Sequence, residues 1–222
     1  MIVASMTDEE LLIEVSKDYD SCLSKVQKEY NFYRRAIVKS SKFPIYFKPI
    51  EYTSSRKNKF LLFIEAKSKK DSTNFLMTFV TYYLKPEGIY AIMIYPKSNY
   101  SKTIVIYPPH FFERYKERYL GRDIDTLDSI KEFFRYNSAN IIQFTEGNYY
   151  RGSCNHGFVF GEKLNENINI LKTFITEDML KGDQNSLNTI LNNELVELNN
   201  LKKQQKELSF KNLIIQVSLP TK

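Results

Sequence analysis

The sequence predicts an α+β protein in which antiparallel strands are flanked by helices. Helical spacing of apolar residues dominates the first 40 positions and returns after residue 109, whereas short segments rich in β-branched and aromatic residues fill 43–108 and 140–176. Turn-forming stretches such as 54–58 separate the strand segments, which is typical of an antiparallel meander. Several strand segments are apolar throughout, so we expect helices to cover one face of the sheet.

The N-terminal part begins with a helix cap. Thr7 is followed three residues later by Glu10, which predicts a capping box. The apolar residues that then recur at helical spacing are Leu11, Leu12, Val15, Tyr19, Cys22, Leu23 and Val26. We therefore expect one or two amphipathic helices here, with Cys22 as a small core residue.

Strands and helices alternate in blocks along the rest of the chain. The predicted strand segments are 43–52, 59–67, 73–84, 88–96, 102–108, 140–146, 156–164 and 167–176. Two helices separate the fifth and sixth strands: one covers 109–120 and ends at Gly121, and the other begins after Asp125 as its N-cap.

A long leucine-striped helix over about 184–208 follows, and the tail after it is expected to add an edge strand. That helix either packs on the domain or forms a homodimer. The segments 1–103, 104–182 and 183–222 are expected to form one compact domain.

The composition indicates a protein kept in the cytoplasm. The chain has two cysteines, no signal-like start and no apolar run long enough to span a bilayer. It contains no glycine-rich phosphate loop, and the spacing of Cys154, His156 and His110 matches no zinc pattern. We therefore expect no cofactor, no metal and no membrane association.

Positive charge is concentrated in one part of the chain. The net charge is +6, and residues 39–102 contain twelve Lys/Arg against four Asp/Glu, mixed with aromatic residues. Such a mixture suits RNA or DNA, because lysines attract phosphates and aromatic rings stack on bases. The alternative is a solvated sheet whose lysines prevent edge-to-edge aggregation.

The segment Pro-Pro-His-Phe-Phe-Glu-Arg at 108–114 begins the most suggestive helix. Pro109 favours the first helical position, and His110, Arg114 and Arg118 follow at intervals of four, so they are expected on one face. The helix N-terminus and Arg114 should keep His110 neutral and favour an anion. A neutral imidazole beside arginines suits a general base that cleaves RNA without a metal. Alternatively, Glu113 and Glu117 pair with the arginines and the face is merely solvated.

The second histidine lies in a segment that is expected to form a turn. Gly152 and Gly157 are predicted to bracket this turn and to expose Arg151, Cys154 and His156. If the turn faces the helix, His156 is a candidate general acid and Arg151 a phosphate ligand. The alternative is a polar hairpin tip, and a Cys154 nucleophile lacks an evident third group.

Residues 104–180 resemble the barnase/RelE-like toxin ribonucleases. The resemblance rests on a helix with His110, Arg114 and Arg118, a second helix, and antiparallel strands ending in Lys-Thr-Phe-Ile-Thr at 172–176. It implies that Lys172, Thr173 and Thr176 on the last strand supply further contacts to substrate.

Two functions follow from these patterns. The first is a metal-independent endoribonuclease, a toxin or defence effector, with RNA (or DNA) as partner and a neutralising protein as a second partner. The other is a non-catalytic factor of a phage or mobile element that binds nucleic acid or protein. In an enzyme, His110, Arg114, Arg151 and Lys172 should converge on one concave site.

Overall fold

A computed structural model describes residues 1–97, 101–138, 141–144 and 148–179 of the chain. The chain divides into two units, Met1–Glu177 and Asp178–Lys222, and the elements below belong to the first. The predicted helix over 184–208 and the edge strand after it lie outside the described residues. None of the helices in the described part of the chain has the length and apolar composition that crossing a bilayer requires.

Three helices open the chain where one or two were expected. They are α1 (Asp8–Ser16), α2 (Tyr19–Lys28) and α3 (Tyr30–Lys39). The capping box predicted for Thr7 and Glu10 is confirmed, because each side chain accepts the other residue's backbone N–H. Cys22 is fully buried in the core, as predicted.

Within the described residues, ten strands form one sheet. The first six are β1 (Ile45–Tyr46), β2 (Ile50–Thr53), β3 (Lys59–Ala66), β4 (Leu76–Lys85), β5 (Gly88–Pro96) and β6 (Lys102–Tyr107). The last four are β7 (Ile141–Phe144), β8 (Tyr149–Cys154), β9 (Gly157–Asn165) and β10 (Ile168–Ile175). A 3₁₀ helix, Lys69–Thr73, connects β3 to β4.

The sheet consists of two antiparallel meanders joined by one parallel pair. The spatial order is β1-β3-β4-β5-β6-β10-β9-β8-β7, and β2 also pairs with β3. β6 and β10 are parallel, with Ile104 opposite Ile168. The sheet is therefore continuous across the segment boundary predicted at residue 104, and the division into three segments stays a prediction.

The helix pair α4 (Pro109–Tyr115) and α5 (Thr126–Tyr136) connects β6 to β7. Asp125 caps α5 by accepting the Asp128 N–H, as predicted. α-Helical geometry ends at Tyr115 and a π-helical turn, Lys116–Leu120, follows before Gly121 closes the helix with φ of 60°.

Helices cover both faces of the sheet, so the prediction of a single covered face is wrong. α1–α3 pack on Phe60, Leu62, Ile64, Ile92 and Ile104, whereas α4 and α5 pack on the alternate residues Leu61, Phe63, Ala91, Met93 and Val105. β3 is buried from Phe60 to Ala66, because both its faces lie under helices. The α+β class with a mostly antiparallel sheet is confirmed.

Candidate functional site

His156 lies in the two-residue turn between β8 and β9, and this turn contacts the C-terminal end of α5. The prediction that Gly152 begins the turn is wrong, because Gly152 lies within β8 opposite Val159 of β9. The turn closes at Gly157, whose φ is 151°, and a Cβ there would overlap the Ile175 carbonyl oxygen. Asn155 donates to the Tyr136 carbonyl oxygen and to the Tyr46 hydroxyl, so the turn is held against α5.

The hydrogen bonds of Asn137 determine which nitrogen of the His156 ring carries the proton. The Asn137 Oδ1 accepts the His156 backbone N–H at 3.0 Å, which leaves its Nδ2 to donate to the Phe133 carbonyl oxygen and to His156 Nδ1, each at 3.0 Å. The Tyr115 hydroxyl is also 2.9 Å from Nδ1. Nδ1 is therefore an acceptor, and the neutral ring carries its proton on Nε2.

Aromatic rings surround the same imidazole. Tyr119 stacks on His156 at a centroid distance of 3.9 Å, Tyr115 lies parallel to it at 6.0 Å, and Tyr136 is tilted at 5.6 Å. Burial among these rings lowers the pKa of His156 from 6.5 to about 4. We call His156, Tyr115, Tyr119, Tyr136 and Asn137 the His156 pocket.

The titratable groups of this pocket and the neighbouring Cys154 are poorly suited to proton transfer near neutral pH. Burial raises the pKa of the Cys154 thiol to about 11, and its Sγ donates to the Gly157 carbonyl oxygen at 3.3 Å. Burial also raises the pKa of Tyr115 above its usual range. Cys154 is therefore a thiol rather than a thiolate, and His156 lacks the charged form that a general acid needs. The acid role of His156 stays a prediction, and the neutral ring counts against it.

His110, Arg114 and Arg118 were predicted to share one helix face, but two of them face solvent and the third contacts the sheet. His110 is exposed in the first turn of α4 and makes no hydrogen bond or ion pair with the residues described. Arg114 is exposed and pairs with Glu117 at 2.9 Å. Arg118 instead donates to the Phe174 carbonyl oxygen and to Thr173 Oγ1 on β10. After Tyr115 the π-helical turn rotates the chain by a smaller angle per residue than an α-helix does. Arg118 therefore does not lie on the same face as Arg114.

The remaining predicted residues lie on β8, on β10 or directly after β10. Lys172 is the extra residue of a β-bulge in β10 and pairs with Glu162 at 2.8 Å. Arg151 lies in β8, opposite Phe160 of β9, and Thr176 is half-buried just after β10 ends. The structure therefore joins Arg118 to Thr173, but among the described residues no hydrogen bond or ion pair links His110, Arg114 and Lys172 to one another.

Two open clefts lie elsewhere on the surface. A cleft of about 480 Å³ is lined by Glu113, Lys116, Glu117, Gly121, Arg122 and Asp123. A second cleft of about 390 Å³ lies at the sheet end near Lys57, Lys59, Tyr82 and Leu84. Neither is lined by a predicted site residue. In the described ranges, no group of three or more His, Cys, Asp or Glu is arranged to hold a metal ion.

The cations of α3 and the adjoining 3₁₀ helix form a second region. α3 packs against the 3₁₀ helix, and the Tyr30 hydroxyl donates to the Thr73 carbonyl oxygen at 3.2 Å. Six exposed cations lie on these two elements and the residues next to them, and we call them the basic face: Arg34, Arg35, Lys39, Lys67, Lys69 and Lys70.

Acidic residues are scarce around the basic face in the sequence. Residues 30–50 contain five Lys/Arg and no Asp/Glu. Asp71, the one acidic residue of 67–74, accepts the backbone N–H groups of Lys67 and Ser68 at 2.7 and 2.8 Å. None of the six cations makes an ion pair in the described part of the protein, whereas Lys17, Lys25, Lys97, Lys131 and Lys163 all pair with carboxylates.

Sequence reasoning did not single out Asn137 or α3. The Asn-His-Gly sequence at 155–157 contains two turn-forming residues and could have located the turn. The absence of acidic residues between 30 and 50 could have located the basic face.

No protein-family model, curated protein or solved structure matches this chain.

Proposed function

We propose that this protein binds nucleic acid through the basic face. The observation that carries the proposal is a set of six exposed cations, on or next to two elements in contact, that pair with no carboxylate of the described residues. Clustered cations of this kind create a positive potential, which is relieved when a polyanion displaces their counterions. Cations that are already paired gain much less from a phosphate, because the carboxylate must first be displaced.

The geometry of α3 supports a preformed surface. Tyr33 and Ile37 anchor the helix in the core, and Tyr33 contacts Phe47 and Phe75 with ring centroids 4.9 and 5.7 Å away. The 3₁₀ helix has its own capping box between Ser68 and Asp71. Because both elements are fixed to the body of the protein, their backbone needs no ordering when they bind a phosphate backbone, and only the side chains of the cations lose freedom.

The test compares two triple variants that remove the same charge. Arg34→Ala/Arg35→Ala/Lys39→Ala removes three cations of the basic face, and Lys17→Ala/Lys97→Ala/Lys163→Ala removes three paired ones. Fluorescence anisotropy with labelled single-stranded and duplex oligonucleotides should show that the first variant loses affinity by at least about tenfold. The second should bind like wild type. Equal affinities for all three proteins, or no binding by wild type, would refute the proposal.

Ribonuclease activity centred on His110 is a second candidate. Its support is that His110 is exposed at the first turn of α4 and makes no hydrogen bond or ion pair within the described ranges, so its imidazole is open to a ligand. Incubating labelled total RNA with the protein and EDTA, for wild type and His110→Ala, tests this activity. Cleavage by wild type that is lost in the variant would establish it, whereas intact RNA with both proteins would leave binding alone.

A further inference from the structure

We infer that the basic face takes single-stranded nucleic acid and that Phe32 stacks on one of its bases. This inference rests on the proposed function and deepens it. Phe32 lies on α3, and 63% of its surface is exposed. It is the α3 aromatic residue that the core does not use, since Tyr33 is buried and Tyr30 is half-buried against Phe75.

Phe32 shares a stripe of α3 with two cations of the basic face. Arg35 follows it by three positions and Lys39 follows Arg35 by four, so the three side chains are neighbours along the helix. The Phe32 ring also rests against Tyr33 in an edge-to-face contact, with centroids 5.2 Å apart. A partly supported ring beside two phosphate-binding cations is the arrangement by which proteins hold unpaired bases.

The exposed ring discriminates between the two forms of nucleic acid. In a duplex the base faces are stacked on one another, so Phe32 has no face to contact and only the cations act. In a single strand each base offers a free face, and stacking adds to the attraction of phosphates. The single strand is therefore the form that uses both features of α3.

The distribution of apolar residues distinguishes this surface from a membrane-binding helix. Helices that lie on a bilayer insert a continuous apolar face. The continuous apolar stripe of α3, including Tyr33 and Ile37, is already buried against the sheet, which leaves Phe32 and Val38 exposed among cations. The charge and the isolated ring fit a nucleic-acid strand better than a lipid surface.

The first measurement is the affinity of Phe32→Ala for a labelled oligonucleotide of about 16 nucleotides and for the corresponding duplex. We expect about a tenfold loss for the single strand and a change within about twofold for the duplex. Ile13→Ala is the matched control, because Ile13 is also exposed on an N-terminal helix but lies outside the basic face. It should bind both forms like wild type.

A second measurement reports stacking directly. The chain contains 16 Tyr but no Trp, so Phe32→Trp and Ile13→Trp each introduce a single Trp, which is excited selectively at wavelengths that tyrosine does not absorb. Saturation with the single strand should quench Trp fluorescence at position 32, where the base stacks on the indole, and leave position 13 unchanged.

The outcomes separate the two proposals. If the oligonucleotides bind and the basic-face triple variant weakens them, but Phe32→Ala has no effect and Phe32→Trp is not quenched, the stacking inference fails and the proposed function stands. If neither oligonucleotide binds and vesicles of anionic phospholipid do, both fail.

Discussion

The basic face and the His156 pocket differ in what their polar groups already contact. In the pocket, Asn137 is 1% exposed and bonds three groups, and His156 Nδ1 faces two donors. On the basic face, the six cations are exposed and pair with no carboxylate in the part of the chain that the structure describes. A group whose interactions are complete within the chain stabilises the fold, and a group without them has interactions left for a ligand.

The sequence suggested that the histidines mark the functional site, whereas this comparison favours the basic face. The pocket contains a histidine and three tyrosines, and Cys154 lies two positions before its histidine; these residue types often serve in catalysis. Its hydrogen bonds and stacked rings nevertheless connect α4, α5 and the β8–β9 turn. The basic face contains no unusual residue type, and its distinguishing feature is the scarcity of acidic residues: 30–50 contains none and 67–74 contains Asp71 alone.

The largest expected effect on stability is in the pocket. Asn137→Ala removes the acceptor of the His156 backbone N–H and the donor to the Phe133 carbonyl oxygen. Because those buried groups are left unsatisfied, we expect the free energy of unfolding to fall by about 2–3 kcal/mol in urea denaturation. Oligonucleotide affinity should not change. If the folded variant lost affinity for the oligonucleotide, the pocket would contribute to binding and the two regions would not have separate roles.

The pH dependence of folding stability gives a second test of whether His156 stabilises the fold. The unfolded histidine binds a proton near 6.5 and the folded one near a pKa of about 4, because burial disfavours the charged ring. Its contribution to stability is therefore complete above pH 6.5 and is lost as the pH falls through about 4.

We expect the difference in unfolding free energy between wild type and His156→Gln to shrink by about 1–2 kcal/mol over this range. The pKa shift alone would give a larger change, but solvent screens the half-exposed ring. Urea denaturation at several pH values measures this difference. An NMR titration of His156 with a midpoint near 6.5 would contradict the described pocket.

Arg118 and Arg114 allow the same comparison, with a smaller expected effect on stability. Arg118→Met removes charged hydrogen bonds to β10 and should cost about 1–2 kcal/mol of unfolding free energy. Arg114→Met breaks an exposed pair with Glu117 and should cost less than about 0.5 kcal/mol. Equal costs would mean that Arg118 does not connect the helix to the sheet.

Local signals predicted the helix boundaries well. Thr7 with Glu10, Asp125, Pro109 and Gly121 each act through residues nearby in the chain, so their sequence neighbours are sufficient to identify them. β8 was missed because its sequence, Tyr-Tyr-Arg-Gly-Ser-Cys, contains a glycine and polar residues that suggested a loop.

The contacts of the pocket could not be predicted in this way. Tyr115 and His156 are 41 positions apart, and Asn137 and His156 are 19 apart, so these contacts exist only after the β8–β9 turn meets the helices. The positive charge of 39–102 was predicted from composition alone. Its position was not, because the cations of α3 and of 67–70 become neighbours only when α3 packs on the 3₁₀ helix.

The most direct test of the central claim is the salt dependence of oligonucleotide binding. Each phosphate that a cation neutralises on a single strand contributes about −0.7 to the slope of log affinity against log salt concentration. Arg34→Ala/Arg35→Ala/Lys39→Ala should make this slope shallower by about 2, whereas Lys17→Ala/Lys97→Ala/Lys163→Ala should leave it at the wild-type value. The same slope for all three proteins would contradict the claim that the cations without carboxylate partners on α3 are the ones that bind phosphate.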